Sequence, residues 1–237
     1  MSATSDVQAG MVFSLPVVSL PIVGSALRFP VRRVYCVGRN YLEHIRELGN
    51  DEREPPFFFA KHRDAIVQSG SEVRYPSLTS SYQHELEMVV AMKSGSENMK
   101  KEDALNHVFG YAVGLDMTRR DLQTISRKKE QPWEIGKSFE QSAPCSAITP
   151  AEKCGHLSKG KIQLTVNGTL RQDGDLAQMI WNVPEIIAQL SKQYELYSGD
   201  VIFTGTPEGV GPLRPGDEIK CSIERLGVFG IRIGQPD

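Results

Sequence analysis

"SSYQHELEMVV", residues 80–90, decides how the chain is read. Met88, Val89, Val90 and Ala91 follow Glu87 in the manner of a buried strand. Residues i and i+2 of a strand share a face, so Glu85 and Glu87 stand side by side in a segment that otherwise avoids water. Like charges that close repel, and an unpaired buried carboxylate is costly. In isolation such a pair reads as the solvent-facing edge of a half-exposed strand. The apolar continuation argues instead for burial on both faces.

A third isolated acid, Asp116, ends the apolar strand "YAVGL" (111–115). Strand ends are common places for ligands and catalytic groups. Three carboxylates from two strands make an all-oxygen set of the kind that Mg²⁺ or Mn²⁺ prefers. A divalent cation would also remove the repulsion between them.

Outward from this point the chain reads as many short strands and about four helices. Strands are expected at 32–37, 55–62, 84–93 and 108–118, with a closing antiparallel pair at 217–233. Asn167-Gly168, inside "IQLTVNGTLRQ", is a strong hairpin signal. Helices are expected at 41–48 with Asn40 as cap, at 100–108, at 119–130 with Thr118 as cap, and at 183–194 with Pro184 at the first position. No βαβαβ alternation is present, which disfavours a doubly wound sheet. The expected class is α+β, mostly β, with a rolled or sandwiched sheet. Residues 1–30 read as a tail with short strands, and 31–237 as the main folded domain.

Composition narrows the possibilities. The chain has 237 residues, a formal net charge of −2 and 40% apolar residues. Nothing suggests a nucleic-acid footprint or a membrane patch, and the apolar runs are too short to span a bilayer. The four cysteines, Cys36, Cys145, Cys154 and Cys221, show no paired spacing and imply a reduced, cytoplasmic setting. The five histidines form no zinc-site pattern.

Three further stretches carry candidate chemistry. In "NYLEHIRE", His44 and Glu47 are neighbours on one helix face, where a carboxylate can orient an imidazole; an exposed contact is the blander reading. Lys137 lies between Trp133 and Phe139, placed either to snorkel or to stabilise developing negative charge. "TGTPEGVG" (204–211) lacks the Gly-Lys-Ser/Thr ending of a phosphate loop, although its amides and Thr206 could hold a carboxylate.

Taken in order, "YCVGRNYLEHIRE", "PFFFAKH", "HELEMVVAM", "GYAVGLDMTRRDLQ", "PWEIGKSFE", "VNGTLRQ" and "GDVIFTGTPEGVGPLRPGDEI" resemble the fumarylacetoacetate hydrolase family. The resemblance implies a mixed β-roll and a homodimer. It matches Glu85, Glu87 and Asp116 to Mg²⁺/Mn²⁺ ligands, and His44 and Glu47 to a water-activating dyad. Lys137 matches an oxyanion-stabilising lysine, and Arg120, Gln123, Thr206 and Arg39 match substrate-contacting positions. The likeness is greatest to the branch that hydrolyses fumarylpyruvate in bacterial gentisate breakdown, so a small diketo acid is the implied substrate. Oxaloacetate decarboxylation or isomerisation of a 2-oxo-ene-diacid is the alternative on the same site. Relatives often read Lys-Pro where this chain has Lys61-His62, which raises the expectation of altered substrate access at that edge.

Overall fold

The computed structural model describes residues 11–41 and 54–236. A mixed eight-stranded sheet forms its centre. Its main path runs Phe57–Lys61, Val34–Gly38, Val201–Phe203, Leu86–Met92, Val108–Leu115, Ala143–Cys145 and Ile66–Gln68. Val201–Phe203 pairs in parallel with Val34–Gly38 and antiparallel with Leu86–Met92. A five-stranded sheet packs against one face, built on the hairpin Lys161–Val166/Thr169–Asp175 and the pair Glu218–Ile223/Gly227–Ile233.

The strand Leu86–Met92 shows why the sheets stack. All seven of its residues are buried. Leu86, Met88, Val90 and Met92 point into a core shared with Ile162, Leu164, Ile219 and Phe229 of the second sheet. Val89 and Ala91 point the other way, onto a core with Val34, Phe203, Leu20 and Phe29. Each fully buried large side chain contributes about 1.5–3 kcal/mol, so both faces hold this strand in place. The class expected from sequence, a mostly β sandwich with short helices, is the class observed.

The Asn167-Gly168 hairpin forms as expected, with φ of 51° and 79° at its two turn residues. Local differences have local causes. The segment 100–108 makes only a 3₁₀ turn, Ala104–His107, because the carbonyl of His107 accepts from the Lys93 amide and draws the chain into the sheet. Thr118 is not a helix cap. It lies in the strand Thr118–Arg119 beside Tyr82–His84, its hydroxyl donates to the Asp116 carbonyl at 3.0 Å, and the helix starts at Arg120. The later helix is Val183–Leu190, capped reciprocally by Asn182 and Glu185, with Pro184 one position further in than expected. The expected helix at 41–48 is outside the described residues, apart from Tyr41.

Candidate active site

The strand Leu86–Met92 and its neighbour Val108–Leu115 place Leu86 opposite Leu115 and Glu87 opposite Gly114. One step further, the Asp116 amide donates to the Glu85 carbonyl at 2.8 Å. Glu85 and Asp116 therefore face each other, and Glu87 lies on the same face two residues along. All three acids are buried, and one carboxylate oxygen from each lies within 4.8 Å of the others. The chain switches sheets here: Tyr82–His84 belongs to a small three-stranded sheet, and Glu85 is the residue at the break.

Three cations surround the three acids. Lys137 Nζ donates to Glu85 Oε2 and Asp116 Oδ2, both at 2.7 Å. Lys61 Nζ lies 2.8 Å from Asp116 Oδ1, and the Arg120 guanidinium pairs with Glu85 Oε1. Burial disfavours the Glu85 charge, but Lys137 and Arg120 outweigh it and hold that carboxyl well below the usual range. Burial likewise works against the Lys137 charge, yet Asp116 and Glu85 raise its pKa. Glu87 is different. Burial first, then the charges of Asp116 and Glu85, push its carboxyl well up, and the Gly205 amide at 2.7 Å offsets this only in part. Asp116 Oδ1 is within ion-pair reach of Lys61 but has no aligned hydrogen-bond donor among the described residues. A buried carboxylate set with spare lone pairs and mutual repulsion is suited to a hard divalent cation.

The walls are built from four other segments. The helix Arg120–Lys128 turns Arg120, Gln123 and Arg127, at i, i+3 and i+7, toward a cavity of about 330 Å³. The short helix Glu134–Lys137 can carry Lys137 this close because residue 136 is glycine. A Cβ there would lie 2.7 Å from Gln123 Cβ and 2.8 Å from its backbone nitrogen. Trp133 packs on Phe59 and Phe57, with centroids 5.0 and 6.2 Å apart, giving an aromatic side. Arg39 completes the rim in a left-handed backbone conformation (φ 56°), a strain of the kind that collects at functional sites.

The structure thus brings together Glu85, Glu87, Asp116, Lys137, Arg39, Arg120, Gln123 and Thr206 around one cavity. His44 and Glu47 lie outside the described residues. Several participants were given no role in the site from sequence. Lys61 gives the same signal as Lys137, a lysine closing an apolar-aromatic run. Asn40 spends its side chain on Trp181 and on the Thr204 carbonyl at 2.7 Å, anchoring the loop that carries Gly205. Gln172, wholly buried, accepts from the Leu86 amide at 3.0 Å and donates to the Thr206 hydroxyl at 2.8 Å. It reaches the site from the other sheet, which no local pattern announces. His62 is exposed and does not line the cavity; its amide donates to Ser138 Oγ at 2.9 Å, a bond that proline could not make.

The family described as fumarylacetoacetate (FAA) hydrolase C-terminal matches residues 33–233. The chain belongs to the fumarylacetoacetate hydrolase family. The match takes in every site residue just described. Among relatives, this family member is 41% identical over 206 residues to a mitochondrial oxaloacetate tautomerase of Homo sapiens, covering 87% of this chain and 93% of that protein. It is 42% identical over 181 residues to a fumarylpyruvate hydrolase of Ralstonia sp, covering 76% of this chain and 94% of that one. A crystal structure of fumarylpyruvate hydrolase from Pseudomonas aeruginosa, in complex with Mn²⁺ and pyruvate, superposes with a TM-score of 0.92 at 49% identity. That match covers 95% of this chain and 99% of the other.

Proposed function

We propose that this protein is a metal-dependent hydrolase of 2,4-diketo acids, cleaving fumarylpyruvate to fumarate and pyruvate. The observation that carries the reading is the buried, incompletely satisfied set of Glu85, Glu87 and Asp116 with Lys137 against it. The likeness to fumarylpyruvate hydrolases, one of them solved with Mn²⁺ and pyruvate, supports the substrate and the metal. Glu85, Glu87 and Asp116 would hold Mg²⁺ or Mn²⁺. When bound, such an ion supplies Lewis acidity toward a 2-oxo acid and stabilises an enolate.

The chain's own residues supply the rest. Glu47 orients His44, and His44 takes a proton from water, which attacks the C4 carbonyl. The C3–C4 bond breaks, its electron pair moves to C3 as the enolate of pyruvate, and the acyl half leaves as a carboxylic acid. The proton held by His44 returns to C3. Lys137, kept protonated by its two carboxylates, places positive charge where the enolate oxygen develops. Arg120, Gln123, Thr206 and Arg39 contact the substrate. The catalytic domain spans 31–237 and works as a homodimer in the cytoplasm. All four cysteines are free, in keeping with that compartment, and no helix among the described residues is long and apolar enough to cross a membrane.

The oxaloacetate tautomerase relative favours a second reading on the same site: enolate chemistry on oxaloacetate, which needs no attacking water. One experiment separates the two. The His44→Ala variant should lose at least about a hundredfold in kcat/KM on fumarylpyruvate, the scale of a general base, while keeping more of any oxaloacetate turnover. Full hydrolysis without His44 would rule out the assigned base.

A further inference from the structure

We infer that Arg127 receives the distal carboxylate of a long diketo diacid, making it the residue that separates such substrates from shorter or uncharged-ended ones. This rests on the diketo-acid reading above. The other cations at the floor of the cavity are already engaged: Lys61, Lys137 and Arg120 pair with Glu85 and Asp116. Arg127 lines the same cavity, is exposed, and its side chain has no hydrogen bond or ion pair among the described residues. Arg39, at the rim, lies over Phe57 with its guanidinium carbon 5.8 Å from the ring centroid. The cavity therefore has an inner end whose acids would hold the divalent ion of that reading, and with it one carboxylate, and a cationic outer end, joined by the aromatic side of Phe57, Phe59 and Trp133. That profile fits a flat, unsaturated chain carrying a carboxylate at each end.

Length selects which diacid. Arg127 lies seven residues beyond Arg120, about 10 Å along the helix axis at roughly 1.5 Å per residue. An extended seven-carbon diacid separates its carboxyl carbons by six bonds, roughly 7.5 Å at about 1.25 Å of advance per bond. A charge-assisted hydrogen bond adds about 2.8 Å and closes the distance. A four-carbon diacid spans three bonds, roughly 4 Å, and stops well short. Oxaloacetate anchored at the inner end leaves Arg127 unused.

The test compares two uncleavable 2-oxo acids of equal length, 2-oxoheptanedioate and 2-oxoheptanoate, on the full-length Mg²⁺-loaded protein by titration calorimetry. The parent should prefer the diacid about tenfold, the scale of one hydrogen bond between charged groups. In Arg127→Gln the preference should fall close to one. A parent with no preference, or a variant that keeps it, overturns the assignment. Turnover is read in parallel: Arg127→Gln should lose about tenfold more kcat/KM on fumarylpyruvate than on 2,4-dioxopentanoate, which lacks the distal charge. A parent that hydrolyses neither refutes the hydrolase reading, and the binding ratio still decides Arg127.

Discussion

Asp200 and the trio Glu85, Glu87 and Asp116 are buried carboxylates in the same fold, solved in opposite ways. Asp200 is fully buried and saturated by its own chain. Arg33 grips it through Nε at 3.0 Å and Nη2 at 2.6 Å, and the Tyr197 amide adds a third bond at 2.9 Å. Nothing is left for a ligand to bind. Glu87 receives one amide, and Asp116 Oδ1 receives a nearby charge without an aligned donor. A carboxylate saturated internally is a strut, whereas one left short retains capacity for something from outside.

The difference can be broken most severely at Glu87. Replacing it with glutamine should cost about a thousandfold in kcat/KM, near 4 kcal/mol and within the several kcal/mol ascribed to a catalytic metal. It should also abolish the rise in melting temperature on adding Mg²⁺, while the metal-free variant melts no lower than the parent, since glutamine can still accept from the Gly205 amide and never carries a charge beside Asp116 and Glu85. A lower metal-free midpoint would show that Glu87 is a strut after all. The converse change is Arg33→Ala, which strands the buried Asp200. It should cost about 3 kcal/mol in urea unfolding, the lower end for a broken buried pair, and leave the Mg²⁺ midpoint shift intact.

The smallest effect concerns Asp121, a strut nearer the surface. It accepts from the Thr79 hydroxyl at 2.5 Å and from the Ser80 and Leu122 amides at 2.8 and 3.0 Å. Partial burial disfavours its charge, but these hydrogen bonds win and lower its pKa. A depressed folded pKa gives stability that is present above the unfolded value, about 3.9, and lost as pH falls through the folded one. Asp121→Asn should therefore flatten the acid limb of melting temperature against pH below about pH 4. Solvent screening keeps the change modest. An unaltered acid limb would remove Asp121 from the set of struts.

The acids of the site were legible because each breaks its local pattern: Glu85 and Glu87 interrupt an apolar strand and Asp116 ends one. The hairpin at Asn167-Gly168 was legible because φ above zero at two successive residues restricts the choice of side chains. The 3₁₀ turn at Ala104–His107 was misread as a helix because the bond that decides it, from Lys93 to His107, comes from another element. Gln172 escaped notice, and Asn40 was read only as a helix cap, for the same reason: their partners are distant in the chain.

Sequence alone determined the sheet-rich class, the metal-suited acids and the order of family motifs. These follow from alternation, residue chemistry and turn restrictions, all readable within a few neighbouring positions. Only the tertiary structure decided that Lys61 joins Lys137 and Arg120 against Glu85 and Asp116, that Gln172 links the acid strand to Thr206, and that the Arg127 side chain, unpaired among the described residues, lines the same cavity. Charge balance and hydrogen-bond satisfaction depend on distances in space, and the strand crossings that set those distances bring together residues far apart in the chain.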